Sequence, residues 1–165
     1  MQSSRQYLKI NDEEVISTIV GWWRSLEDKR GDRADLRRCR GPEEVFFVPE
    51  YHRLLSRVRE HGKPKREEMA VIAGILSHVT KNDPTKPVAA QLAQKKGAGD
   101  SPLVSETRFR RLMQITDKGE LYPAMIRLVR HLDGTVNIPD LTRSLYWWND
   151  RTRKEWALKY YEQIV

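Results

Sequence analysis

The most distinctive chemistry in the sequence is a run of basic residues at positions 29–40, KRGDRADLRRCR. The run holds six basic and two acidic residues, a local excess of four positive charges. On a helix, Arg33, Arg37 and Arg40 recur at i, i+4 and i+7 and share one face, which suits contact with successive phosphates. Arg38 lies beside this row. The alternative is a solvated helix face whose arginines pair with the neighbouring aspartates.

A second basic cluster occupies residues 105–113, SETRFRRLM. Phe109 belongs to its apolar face, Arg108 and Arg111 share a neighbouring edge at i and i+3, and Arg110 points elsewhere. The planar arginine fork can bind a phosphate through two hydrogen bonds, and a buried aromatic neighbour would fix its position. Pairing of an arginine with Glu106 or another carboxylate is an equally weighted alternative.

A third segment, RSLYWWNDRTRKEW at 143–156, mixes cations, among them Arg143 and Arg151, with aromatic residues. Aromatic rings among cations can stack on bases. Here the tryptophans follow helical spacing, which favours packing in the core over base stacking.

Catalytic signatures are missing from the sequence. The four histidines show no metal-ligand spacing, the single cysteine cannot build a usual zinc cluster, and neither GxxxxGK[ST] nor GxGxxG occurs. Cys39 lies between two arginines that could lower its thiol pKa, but its place on the apolar side of a helix favours packing. We therefore expect no enzymatic activity, no cofactor and no metal.

The overall composition fits a charged, folded protein. Thirty Lys and Arg against 23 Asp and Glu give a net charge of +7, which favours polyanionic partners, and 39% hydrophobic residues argue against disorder. No window approaches the ~20 apolar residues that cross a bilayer. Glu13 and Glu14 interrupt the first apolar stretch, so no signal peptide is predicted and a cytoplasmic location is expected.

Helical spacing of apolar residues runs through most of the chain and predicts the elements that position these clusters. The predicted helices cover 11–26, 32–39, segments starting at Pro42 and Pro49, 66–80 as the central core helix, 88–95, 105–115, 121–132, 138–148 and 150–164. No stretch alternates with a strand period. The prediction is an all-α fold, a compact bundle of about eight helices in two small lobes, 1–96 and 103–165, joined by a loop at 97–102.

Five blocks of the sequence together resemble a known family. They are Trp22 with Trp23, RGDRADLRR at 30–38, VPEYHRLL at 48–55, SETRFRRLM at 105–113 and LYWWNDRTRKEWALKYY at 145–161. In order and spacing they resemble the CasB family, the small subunit of the type I-E CRISPR surveillance complex Cascade, over nearly the whole chain.

The resemblance implies a non-catalytic subunit present as two copies head to tail, in contact with other Cascade subunits, guide RNA and target DNA. Its implied role is to stabilise the R-loop, in which guide RNA pairs with one DNA strand and the other strand is displaced. The candidate nucleic-acid-binding residues are Arg33, Arg37, Arg38, Arg108, Arg110, Arg111, Arg143 and Arg151.

Two other functions are compatible with the sequence. A helix-turn-helix regulator would read a duplex site with several side chains of one recognition helix, whereas the arginines here recur on at least three predicted helices. A pure scaffold, whose charge only keeps it in solution, would assemble without touching nucleic acid.

Overall fold

The computed structural model describes residues 6–165, which are mostly helical. Ten α-helices occur in this range: α1 Glu13–Ser25, α2 Arg30–Arg38, α3 Pro42–Val45, α4 Pro49–Val58, α5 Arg66–Leu76, α6 Val88–Leu92, α7 Glu106–Met113, α8 Lys118–His131, α9 Ile138–Tyr146 and α10 Asp150–Ile164. A 3-10 turn, Leu26–Asp28, follows α1. The all-α class is confirmed. The helices number ten, one for each of the segments predicted individually and more than the predicted total of about eight; two of them, α3 and α6, have only four and five residues.

Two very short strands, β1 (Lys81–Asn82) and β2 (Thr135–Val136), pair in parallel. Lys81 lies opposite Thr135 and Asn82 opposite Val136. Two residues cannot display an alternating pattern, so the sequence period gives no sign of this pair.

The chain forms two compact units, one ending at Ser77 and the other beginning at His78. Residues 78–96, predicted to belong to the N-terminal lobe, lie within the second unit, where α6 packs on α10. The predicted connecting loop at 97–102 is a turn inside that unit, closed by a 2.9 Å hydrogen bond from the Lys96 amide to the Ser101 carbonyl. The first five residues of the predicted N-terminal lobe lie outside the described range.

The core of the first unit is built around α5. Every residue from Met69 to Leu76 is buried, as predicted for the central helix, and α2, α3 and α4 all contact it. Its small residues Ala70, Ala73 and Gly74 allow neighbouring helices to approach closely.

A buried carboxylate joins the other helices of this unit. Glu50 on α4 is inaccessible to solvent and accepts hydrogen bonds from Trp22 Nε1 at 3.0 Å, Lys29 Nζ at 3.4 Å and Arg53 NH1 at 2.5 Å. Arg53 also reaches Asp32 at 3.5 Å. Because a buried charge is tolerated only when it is paired and hydrogen-bonded, these contacts fix α1, α4 and the beginning of α2 relative to one another.

Aromatic side chains fill the core of the second unit. Tyr160 on α10 stacks on Phe109 of α7 with ring centroids 3.9 Å apart, and its hydroxyl donates to the Val104 carbonyl at 2.7 Å. Trp156 Nε1 donates to Ser144 Oγ of α9 at 2.8 Å. These contacts tie α7 and α9 to α10.

Side-chain caps begin four helices of this unit, α7 to α10. Ser105, Asp117, Asn137 and Asn149 each accept a hydrogen bond from a backbone amide in the first turn of the helix that follows. The predicted cap at Ser105 is confirmed.

The five tryptophans differ in exposure. Trp22 and Trp156 are buried, which agrees with the packing interpretation, and Trp23 and Trp148 are half-buried. Trp147 is the exception because 46% of it is exposed, although its ring lies edge to face against Tyr146.

This contrast predicts different costs for two tryptophan substitutions. Trp22→Ala should lower the free energy of unfolding by about 3 to 5 kcal/mol, because it opens a core cavity and removes a donor from Glu50. Trp147→Ala is the matched control and should cost less than about 1 kcal/mol. Urea denaturation of both variants measures the difference, and equal losses would contradict the packing assignment.

Candidate nucleic-acid interface

The arginines of α2 converge on the end of α5. Arg33 Nε and Arg37 Nε both donate to the Ser77 carbonyl, at 3.0 and 2.7 Å, and Ser77 is the residue that caps α5 at its C-terminus. The last carbonyls of a helix have no partner within the helix and carry partial negative charge, so cations are favoured there. These two residues therefore hold α2 against α5.

The two guanidinium groups differ in what remains accessible. Arg33 is half-buried, and burial together with the nearby Arg37 lowers its pKa, although an arginine stays charged. Arg37 is exposed and engages Ser77 through Nε, while its terminal nitrogens carry four further N–H donors. The Arg37 guanidinium is thus held through Nε, and its terminal nitrogens remain available to a ligand.

The predicted row of Arg33, Arg37 and Arg40 on one helical face is wrong at its last member. The helix ends at Arg38, and Cys39 has extended backbone angles, so Arg40 lies beyond α2. Its backbone amide donates to Glu44 Oε2 at 2.7 Å. Arg38 is exposed and pairs with Asp35 one turn earlier, which is the solvated arrangement weighed above as the alternative.

On α7, Arg108 and Arg111 border a cleft of about 400 Å³. The opposite wall is α8, which contributes Arg127 and His131. Arg108 NH1 lies 3.1 Å from His131 Nε2. Since a guanidinium can only donate, the imidazole accepts this hydrogen bond.

Arg127 and His131 were missed by the sequence reasoning. Their i and i+4 spacing in α8 places both on one helical face, but it indicates a cleft only when α7 is known to lie opposite that face.

Arg110 is exposed on a different side of α7, as predicted. The Glu106 carboxylate, weighed as a partner for an arginine, accepts a hydrogen bond from the Tyr161 hydroxyl at 3.3 Å. Slight burial and Glu106 raise the pKa of Tyr161, and Arg110 acts in the opposite direction. The positive charge of Arg110 therefore stands near this pair.

Arg143 and Arg151 lie on α9 and α10. Arg143 is half-buried, one turn after Asp140, whose pKa is raised by burial and lowered in part by the Val88 amide and Arg143. Arg151 is exposed in the first turn of α10. Asp150 neutralises part of the charge there, since it pairs with Arg153 and Lys154, each at 3.3 Å.

The predicted set is therefore dispersed. The eight arginines lie on four helices, α2, α7, α9 and α10. Arg33 and Arg37 meet at one carbonyl, and Arg108 and Arg111 border one cleft.

Comparison with known proteins assigns the chain to a family. The family model of the CRISPR-associated protein Cse2 matches residues 32–161, most of the chain. The chain belongs to the Cse2 family. The resemblance to the CasB family is confirmed, although Trp22 and Trp23 lie outside the matched range.

Two solved structures share the fold of this Cse2-family chain. A chain in the crystal structure of E. coli Cascade bound to a PAM-containing dsDNA target is 21% identical, with a TM-score of 0.70 over 88% of this chain and 93% of that chain. CasB from Thermus thermophilus is 19% identical, with a TM-score of 0.67 over 89% and 97%. A search of curated proteins finds no match.

Other chemistry in this Cse2-family chain is limited. Cys39 is buried with its Sγ 3.4 Å from the Asp35 carbonyl, and burial, Glu44 and Asp35 raise its thiol pKa, which disfavours a nucleophilic thiolate. Within residues 6–165, no three His, Cys, Asp or Glu side chains are grouped so as to hold a metal ion. None of the helices in that range has the length and apolar character needed to cross a membrane.

The two anchored arginines predict a specific loss of stability. The double substitution Arg33→Ala with Arg37→Ala should cost about 1 to 3 kcal/mol, because it leaves the Ser77 carbonyl without either donor. Arg38→Ala should stay within about 0.5 kcal/mol, since exposed ion pairs contribute little. Urea unfolding compares the variants. A loss for Arg38→Ala as large as that of the pair would show that α2 is not held through Ser77.

Proposed function

We propose that this protein is the non-catalytic small subunit of a type I-E Cascade complex, where it binds the backbones of guide RNA and target DNA and stabilises the R-loop. Membership of the Cse2 family supports the assignment of this chain to a Cascade complex. The structural likeness to a chain of DNA-bound Cascade agrees with it.

The proposed binding to nucleic-acid backbones rests on the dispersion of cationic side chains over four helices. A phosphate backbone is a repeating charge, so a protein that follows it needs several cations on separate elements and no base-reading surface. A recognition helix would instead concentrate its contacts near one helix start. The arrangement here suits a sequence-tolerant path along a strand.

Several of these cations are held in place by the fold. Arg37 is anchored through Nε to Ser77, and Arg108 is linked to His131. An anchored guanidinium loses less conformational freedom on binding a phosphate than a mobile one, which improves affinity without new contacts. Arg110 and Arg151 are exposed and add charge at the surface of α7 and α10.

The tryptophans contribute little to base contact in this proposal. Trp22 and Trp156 are buried, and only Trp147 exposes close to half its surface among the five. We assign the R-loop role to phosphate contacts and assign no catalytic step to this chain. Its proposed partners are guide RNA, target DNA, other Cascade subunits and a second copy arranged head to tail in the cytoplasm.

The proposal predicts a salt signature for single arginine substitutions. Arg38→Ala or Arg151→Ala in reconstituted Cascade should reduce the slope of log affinity against log salt by about 0.7 to 0.9 and weaken all target sequences alike. Both side chains are exposed, so the fold should be unaffected. Target binding measured over a salt series gives the slope.

Arg24→Ala is the matched control, because Arg24 is exposed in the last turn of α1 and lies outside the proposed set. It should leave the slope near that of the unmodified complex. If the control and the two test variants change the slope equally, only net charge matters and the proposed arginine contacts are wrongly placed.

A further inference from the structure

The cleft between α7 and α8 has a composition that phosphate binding alone does not require. Its floor is aliphatic, formed by Val104, Leu112, Ile115, Ala124 and Leu128. Its rim is cationic, formed by Arg108, Arg111, Arg127 and His131. No carboxylate is among these lining residues.

The spacing of the lining residues repeats on both walls. Residues 108, 111, 112 and 115 of the α7 wall are related as i, i+3, i+4 and i+7, and so are residues 124, 127, 128 and 131 of the α8 wall. The α8 wall therefore offers one continuous helical stripe that combines apolar and cationic side chains. On the other wall the stripe runs from Arg108 to Leu112, and Ile115 follows the end of α7 at Met113. Two such stripes bordering one cleft form the kind of groove into which an amphipathic helix lays its apolar face.

The wall formed by α7 and Ile115 is held by contacts outside the cleft. Trp148 Nε1 donates to the Ile115 carbonyl at 2.8 Å, and Arg153 NH1 lies 3.5 Å from the same oxygen. Phe109, on the buried side of α7, stacks on Tyr160. This wall, including Ile115 in the connection between α7 and α8, is therefore supported by the rest of the second unit.

We propose that this cleft docks an acidic amphipathic helix of a protein partner, with aliphatic side chains in the floor and Asp or Glu against the rim. Charge complementarity supports this occupant, because three arginines face the cleft without a carboxylate among its lining residues. A carboxylate on Arg108 would also give a stronger, charge-assisted hydrogen bond than the imidazole of His131.

An unstacked nucleotide base is a poorer fit to the same cleft. The polar edge of a base would be buried against aliphatic side chains, with cationic donors only at the rim, and unpaired polar groups are costly to bury. The lining holds no Phe, Tyr or Trp ring on which a base would stack, and its one imidazole, His131, is already hydrogen-bonded to Arg108. Arg108 and Arg111 of the rim also belong to the proposed phosphate contacts, whereas the floor and Arg127 do not. Variants in the floor and at Arg127 therefore test the docking site separately.

The test uses the full chain and a synthetic peptide of about 18 residues, long enough to form a helix once docked. In the peptide, leucines recur at i, i+3, i+4 and i+7, and glutamates flank them. Calorimetry or fluorescence anisotropy should show binding with Kd in the micromolar range, roughly −8 kcal/mol. A control peptide with lysine in place of every glutamate should bind at least about tenfold more weakly.

Two variants locate the site. Ala124→Trp fills the floor and leaves every charge in place, so it should weaken peptide binding by about tenfold or more. Ala98→Trp, in the exposed turn before Gly99, is the matched control and should bind the peptide normally. Arg127→Glu, at an exposed rim position, should weaken the acidic peptide even if Ala124→Trp fails to fold.

Binding of single-stranded DNA by the same variants separates this proposal from the nucleic-acid function. Ala124→Trp should leave DNA affinity and its salt slope unchanged. If it weakens DNA and spares the peptide, the cleft is a base site and the docking proposal fails. The proposal also fails if no acidic peptide binding is seen up to about 1 mM, or if both peptides bind alike.

Discussion

The first unit depends on one buried carboxylate. Glu50 has no contact with solvent, so its charge must be balanced inside the protein, and Trp22, Lys29 and Arg53 supply the hydrogen bonds that balance it. These donors come from α1, from the residue before α2 and from α4 itself. Satisfying a single charge thus fixes where α2 begins, and α2 carries the most basic stretch of the chain.

The same helix shows how structural and functional charge combine. Arg33 and Arg37 donate through Nε to the carbonyl of Ser77, the C-cap of α5, which holds α2 against α5 and restrains both guanidinium groups. A restrained cation is better suited to a repeating backbone than a mobile one, because less freedom is lost on binding. In the second unit the aromatic contacts of Phe109 and the link between Arg108 and His131 have the corresponding effect. The two interpretations weighed for each cluster, structural pairing and phosphate contact, are therefore compatible for these arginines.

Local patterns predicted most of the helices but not their mutual contacts. The apolar spacing of α5 and the cap at Ser105 are local properties, and both agree with the structure. The predicted helix extended beyond the observed end of α2 at Arg38 because the row of arginines continues after the helix stops. The pairing of β1 with β2 joins residues more than fifty positions apart, so no local pattern indicates it. Glu50, in the first turn of α4, resembles any exposed acidic residue, and only the fold shows that it is buried. The role of Arg127 likewise depends on which helix faces α8.

The central claim is that arginines on several helices contact nucleic-acid backbones in the assembled complex. Its most direct test is the reactivity of each arginine toward a guanidinium-modifying reagent, read by mass spectrometry in reconstituted Cascade with and without target DNA. We expect reduced reactivity on target binding at Arg38, Arg110, Arg143 and Arg151, with no change at Arg24. Unchanged reactivity at all of these positions, or protection confined to a single helix, would contradict it.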